Sequence, residues 1–405
     1  MSATALRVLI AGSLIAALTM GVRQSFGIFL TPVSIDLETG RQVFGLALAV
    51  QNLLFGVLSP VAGMLADRFG PVWVTIAGAI LFSAGMALAT VAQDPLGLNL
   101  TVGVLVGLGL TSTTYVIVFG AVSKVVPPEK RSLALGIVTS VSSFGMFAAV
   151  PGAQALLSTY GWVNAFLILA SCVAAVALAA PALSSGGRGS ASAARQARDE
   201  MVQTSAQAIA EAGRHSGYLL LNLGFLVCGF HVAFIAVHLQ PYLTDAGLSP
   251  QMGALALALV GFFNIFGSLL FGQLGGHYSK KYLLSGIYLG RSAVILVFLL
   301  VPVSGFSAIA FAAAIGFLWL ATVPLTSGLV AQIFGTRHMS MLYGVVFASH
   351  QVGSFFGAWL GGYYFDTLGS YDVVWWISII LGLLAALIHW PIADQPVGRL
   401  RGAVT

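Results

Sequence analysis

The sequence predicts an all-α integral membrane protein with twelve transmembrane helices in two six-helix bundles, and three observations lead there. Of 405 residues, 58% are hydrophobic and only 7% charged, far from the composition of soluble domains. Twelve stretches are apolar over the roughly 20 residues that a bilayer requires. One polar stretch, residues 184–216, divides them six and six.

In chain order the spans cover about residues 8–31, 42–65, 72–93, 97–124, 132–157 and 161–181 in a first bundle (1–183), then 217–243, 251–276, 282–302, 305–334, 338–365 and 371–393 in a second (217–405). Arg7 ahead of the first apolar run imitates a signal peptide, but no small-residue cleavage site with a polar mature domain follows, so the run reads as span 1. The dividing stretch, "SSGGRGSASAARQARDEMVQTSAQAIAEAGRHS", begins as a Ser/Gly-rich linker and ends, over about 195–213, as a surface helix.

Charge orients the spans. Of the 17 Lys and Arg residues, 14 fall in segments on the side of the N-terminus and only Arg41 on the other, which places both termini in the cytoplasm and the chain in the cytoplasmic (inner) membrane. Asp36, Glu38, Asp94, Asp245, Asp366 and Asp372 sit at the outer ends. The net charge of +5 is therefore a loop bias, and no nucleic-acid partner is expected. Cys172 and Cys228 lie inside apolar runs without metal or redox spacing, and read as packing residues. No metal site, cofactor, nucleophile or paired carboxylate is found at membrane depth, which excludes a membrane enzyme.

Two basic residues remain, Arg23 in span 1 and Arg291 in span 9, and no carboxylate lies at mid-membrane to neutralise them. A buried guanidinium without a protein counter-ion suits an anion brought from outside.

The halves repeat. "RQSFGIFLTP" (23–32) aligns with "HVAFIAVHLQP" (231–241), setting Arg23 on His231 and Phe26 on Phe234; "LALA" recurs at 46–49 and 255–258, and Gly63 falls on Gly272. This is the pattern of a parallel repeat about an axis along the membrane normal.

The loop "GMLADRFG" resembles the G-x-x-x-D-R-x-G signature of the major facilitator superfamily through Gly63, Asp67, Arg68 and Gly70. It departs at Pro71 and Val72, and the second half keeps Gly272, Lys280 and Lys281 but has Gly276 and His277 for the Asp-Arg pair, so a cytoplasmic charge clamp is expected on one side only. "VRQSFGIFL" and the stretches 229–248 and 256–272 resemble the monocarboxylate transporter branch. That resemblance implies carriage of a small carboxylate by alternating access, the two bundles rocking about a site between them. Where dicarboxylate antiporters of the branch carry an arginine and a lysine, this chain has Ser268 and His350; where the animal monocarboxylate carriers have an aspartate and an arginine on span 8, it has Asn264 and Ser268.

The candidate substrate-binding residues are Arg291, Asn264, Tyr115, Arg23, Ser268 and Tyr343. Ser268 and Arg291 lie about eleven and twelve residues either side of the span 8–9 turn, hence at one depth, so Arg291 is expected to reach past Ser268 as the cavity's cation with Asn264 steering it. Thr111 and its neighbours read as hydroxyls bonding their own helix, Phe26 and Trp319 as packing. A coupling proton falls to His231 or His350, whose ordinary titration lies near 6.5. The expected function is proton-coupled symport of a lactate- or pyruvate-like monocarboxylate by a functional monomer in lipid; organic-anion exchange, uniport and an anion channel remain open.

Overall fold

The computed structural model describes residues 2–184, 204–335 and 338–398. Most of the linker lies outside them, as do Arg188, Arg195, Arg198, Arg337, Arg399 and Arg401. Of the expected surface helix, Ser205–Gly213 is described; Thr204 caps it, its hydroxyl accepting from the Gln207 amide while the Gln207 side chain returns to the Thr204 N–H.

Among the described residues there are helices and no strand. Ten stretches are long and apolar enough to cross a membrane. One of them, Ala134–Leu183, has 50 residues, ~75 Å of helix and twice a bilayer's thickness. Gly161 breaks it with a φ of 75°, a conformation glycine adopts without strain, so it holds spans 5 and 6. Span 11 is the 30-residue helix Met339–Leu368. The set is consistent with twelve passages.

The chain forms two compact units, Met1–Val202 and Gln203–Thr405. In the first, span 1 packs against span 5 through glycines. A Cβ on Gly21 would meet the Gly145 carbonyl, and one on Gly145 the Ala17 carbonyl. In the second, span 7 packs against span 11 the same way, Gly229 against the His350 carbonyl and Gly353 against that of Leu226. Gly21 to Gly229 and Gly145 to Gly353 are each 208 positions (229 − 21 and 353 − 145), the offset that sets Arg23 on His231. The repeat is thus one of contacts as well as of sequence.

Among the described residues, spans 1, 4 and 10 are interrupted within their length, and span 6 near its end. Span 1 is the helix Ala3–Gln24, a tighter turn Ser25–Phe29 and the helix Leu30–Asp36. Span 4 breaks at Thr114, which is extended between Val106–Thr113 and Tyr115–Val125. Beside the break Thr111, Thr113 and Thr114 return their hydroxyls to the carbonyls of Leu108, Gly109 and Leu110, in competition with the helix ladder. Span 10 breaks between Gly305–Phe317 and Thr322–Phe334. Pro324, in the first turn of the second piece, has no N–H for the Leu320 carbonyl and so disfavours helix across the break.

Span 12, expected to reach 393, ends at His389, two residues before Pro391. The segment beyond it packs back on spans 9 and 10. Lys281 Nζ donates to the Ile392 carbonyl (3.0 Å) and pairs with the Asp394 carboxylate at 3.6 Å. Gln332 accepts from Lys280 Nζ (2.9 Å), donates to the Asp394 carbonyl (2.9 Å), and Val397 N–H reaches the Ile333 carbonyl (2.9 Å). A strap therefore ties spans 9, 10 and 12 of the second unit, with a charge anchor the Gly276–His277 replacement had hidden. In the first unit the signature region closes the helix Arg41–Phe69, and Gly70 turns the chain with a φ of 90°. Gly63 faces Val116 and exposed Arg68 lies over the Phe69 ring at 5.2 Å.

Candidate functional site

Arg23 stands in the last turn of the first helix of span 1, just before the backbone tightens. It is half-buried. One Nη2 hydrogen goes to Asn52 Oδ1 on span 2 at 2.5 Å, and the guanidinium lies over the Phe55 ring at 5.6 Å. Asn52 is held in turn, its Nδ2 donating to the Leu48 carbonyl at 2.9 Å. Tyr115, the first residue after the break in span 4, lies within electrostatic reach of Arg23. Its hydroxyl donates to Ser142 Oγ (2.9 Å), which donates to the Ala16 carbonyl (3.3 Å). A guanidinium has five N–H donors; among the described residues the others of Arg23 have no acceptor. The arrangement holds a cation from one side and leaves its fork open.

Arg291 is different. It is 1% exposed, at the middle of the helix Lys280–Leu300, and four of its five N–H groups have acceptors. Nε and Nη2 donate to the Leu318 carbonyl at 3.2 and 2.8 Å, Nη2 also to the Trp319 carbonyl, and Nη1 to Cys228 Sγ at 3.3 Å. Tyr288 lies 5.4 Å below it. The expectation of Arg291 as an open cation is therefore not met in this structure. The carbonyls that take it belong to a helix break that an apolar run does not announce.

The depth register across the span 8–9 turn is observed, with different partners. Asn264 Oδ1 accepts the Leu320 N–H at 2.9 Å and the Ser268 hydroxyl at 3.1 Å, so Asn264 and Arg291 reach the same break from spans 8 and 9. Cys228 also meets Thr322 Oγ1 at 3.3 Å; it is a polar partner rather than the packing residue expected.

His231 is buried, its Nε2 at 2.8 Å from the Ser378 carbonyl and its Nδ1 without a hydrogen-bond partner. His350 is buried beside Cys228, stacked on Phe347 with ring centroids 5.8 Å apart and 4.8 Å from Phe225. Tyr343 lies two turns before it, against Phe225 at 6.2 Å. Phe26 packs between Phe82 and Phe166. Within their units the structure thus gathers Arg23 with Tyr115, and Arg291 with Asn264 and Ser268. Asn52 and Phe55 were missed, although an amide inside the run "AVQNLLFG" is itself a signal.

Comparison with known proteins gives the family. The Major Facilitator Superfamily model matches residues 12–344 and 221–403. An uncharacterized MFS-type transporter of Bacillus subtilis is 26% identical over 92% of this chain and 91% of its own length. Monocarboxylate transporter 13 of Bos taurus is 28% identical over 96% of this chain and 91% of its own. In fold, the chain is similar to a bacterial homolog of the human lysosomal transporter Spinster (TM-score 0.78, 17% identity, 96% of this chain and 97% of that one). It is also similar to a D-xylose-proton symporter (TM-score 0.72, 15% identity, 97% and 99%). The repeated spans, the signature between spans 2 and 3 and a family model running through both units lead to one conclusion: the chain belongs to the major facilitator superfamily.

Proposed function

We propose that the protein is a secondary active carrier of small monocarboxylates of lactate or pyruvate size, and that Arg23 receives the carboxylate. The observation that carries this reading is the open fork of Arg23, fixed by Asn52 and backed by Phe55, with no ion pair to a carboxylate among the described residues. A carboxylate accepts two parallel N–H bonds from such a fork. Of the two arginines inside spans, Arg23 alone has an open fork among the described residues, since the Leu318 and Trp319 carbonyls and Cys228 Sγ take that of Arg291. A dicarboxylate would leave its second charge unpaired in a medium where that is costly. Relatives named monocarboxylate transporter 13 and 12 support the same class.

The carrier works by alternating access in the cytoplasmic membrane, as a monomer with both termini inside. Uptake is coupled to a proton, for which His350 is the preferred carrier and His231 the alternative, since every Asp and Glu lies near an aqueous face.

A thermal-shift panel on purified full-length protein tests the reading. Lactate and pyruvate raise the unfolding midpoint, by the equivalent of about 1.4 kcal/mol at ten times Kd, while oxalate and glycerol do not. Arg23→Gln abolishes the response. A full lactate response in Arg23→Gln removes Arg23 from the site.

A further inference from the structure

We infer that Arg291 is a positioning residue: a cation built into the chain that caps the broken half-helix of span 10 and holds residues 318–321 in place, without touching the carried anion. In its transport arm the inference rests on the carboxylate-carrier reading above.

The break creates a problem that the bilayer makes acute. The last carbonyls of a helix have no partner within it, and they carry the negative end of its dipole. In water these groups are hydrated. At membrane depth each costs several kcal/mol unless protein satisfies it. Here the helix Gly305–Phe317 ends inside the unit, and the carbonyls of Leu318 and Trp319, just past its end, both take Arg291. The charge faces the end of the helix that attracts it.

Three neighbours complete the frame. Asn264 takes the N–H of Leu320 at 2.9 Å, the donor left over at the same break. Cys228 Sγ stands 3.3 Å from both Arg291 Nη1 and Thr322 Oγ1, linking the cap to the first residue of the next half-helix. Gly267 brings span 8 so close that a Cβ there would fall on the Phe317 carbonyl. Spans 7, 8 and 9 thus each hold one side of a four-residue interruption.

In some carriers of discontinuous-helix architecture, half-helix carbonyl ends coordinate a transported sodium ion. Here a tethered guanidinium fills that role, so this carbonyl end is not available to a free cation. A carboxylate would have to displace two carbonyls and a sulfur to reach the same fork. The repeat-related break in span 4 is pinned more weakly, by the Thr19 hydroxyl on the Thr113 carbonyl at 3.2 Å. The charged cap belongs to one unit alone.

Removing the side chain while leaving the carbonyls creates a cavity shaped for the lost group, and guanidinium chloride at low, non-denaturing millimolar concentration is the probe. The full-length protein is compared as wild type, Arg291→Ala, Arg291→Lys, Cys228→Ala and Arg23→Ala, by unfolding midpoint in detergent and by lactate uptake in proteoliposomes. Arg291→Ala is expected to lose midpoint and roughly tenfold or more in maximal rate while keeping lactate half-saturation within about twofold. Guanidinium, and not an equal concentration of sodium, restores part of both. Wild type and Arg23→Ala do not respond. Arg291→Lys, which keeps charge but not the fork, falls between. If Arg291→Ala yields no folded protein, Cys228→Ala carries the test, with a smaller midpoint loss at unchanged half-saturation. An Arg291→Ala midpoint equal to wild type, or a loss expressed as raised half-saturation with no response to guanidinium, overturns the inference. The midpoint arms need no cargo, so a failure of lactate transport in wild type strikes the functional reading and leaves this one to its own result.

Discussion

A guanidinium binds a carboxylate only through N–H groups that nothing else has taken, and by this measure Arg23 and Arg291 part company. Both are visible in the sequence as lone charges in apolar runs. Which of them is open is not visible, because the acceptors of Arg291 are backbone carbonyls, and backbone carbonyls become available only where a helix breaks. A smaller residue-scale device lies at the mouth of span 7. His215 caps the helix Ser216–Asp245, its Nδ1 accepting the Tyr218 N–H at 3.3 Å. Burial lowers its titration below the ordinary 6.5, against an opposing pull from Glu211. The folded state therefore disfavours the proton, and the cap's contribution is present above about 6.5 and lost as pH falls below it. The contribution is about 1 kcal/mol, the usual worth of a capping side chain. His215→Asn, which keeps an acceptor without titrating, should flatten the fall of the unfolding midpoint between pH 7 and pH 5. An identical fall in the variant would take His215 out of the account.

At the scale of elements, apolar runs and loop charges located the spans, since length and hydropathy are what a bilayer selects. The interruptions were not legible in the same way. Pro324 and the run of threonines at 111–114 are signals, but hydroxyls in membrane helices usually bond their own backbone without breaking it. The strap after span 12 was hidden too, because Asp394 among loop charges gives no hint of its partner Lys281. The glycine contacts offer a direct test of element packing. Gly353→Ala puts a methyl group on the Leu226 carbonyl, and the two helices must separate to admit it. We expect a cost of about 1–3 kcal/mol, read as a lowered unfolding midpoint, with a similar cost at the repeat-related Gly145. A midpoint unchanged in both variants would mean that these spans do not meet through their backbones.

At the scale of the whole molecule, the offset that aligns Arg23 with His231 also relates the glycine pairs of the two units. The sites have diverged on that common frame. The first unit carries the open cation; at the matching position the second carries His231, bonded to the Ser378 carbonyl. The buried guanidinium of the second unit stands on span 9 instead and bonds the carbonyls at the break in span 10. Among the described residues, one open guanidinium inside a span fits the proposed carriage of singly charged anions. Counterflow in proteoliposomes tests it most directly: vesicles preloaded with unlabelled lactate are diluted into a trace of labelled lactate, with wild-type protein and with Arg23→Ala. Wild type should show a transient, saturable accumulation of label that internal pyruvate also drives and oxalate does not, and Arg23→Ala should lose it. Linear flux without overshoot, or overshoot retained in Arg23→Ala, would contradict it.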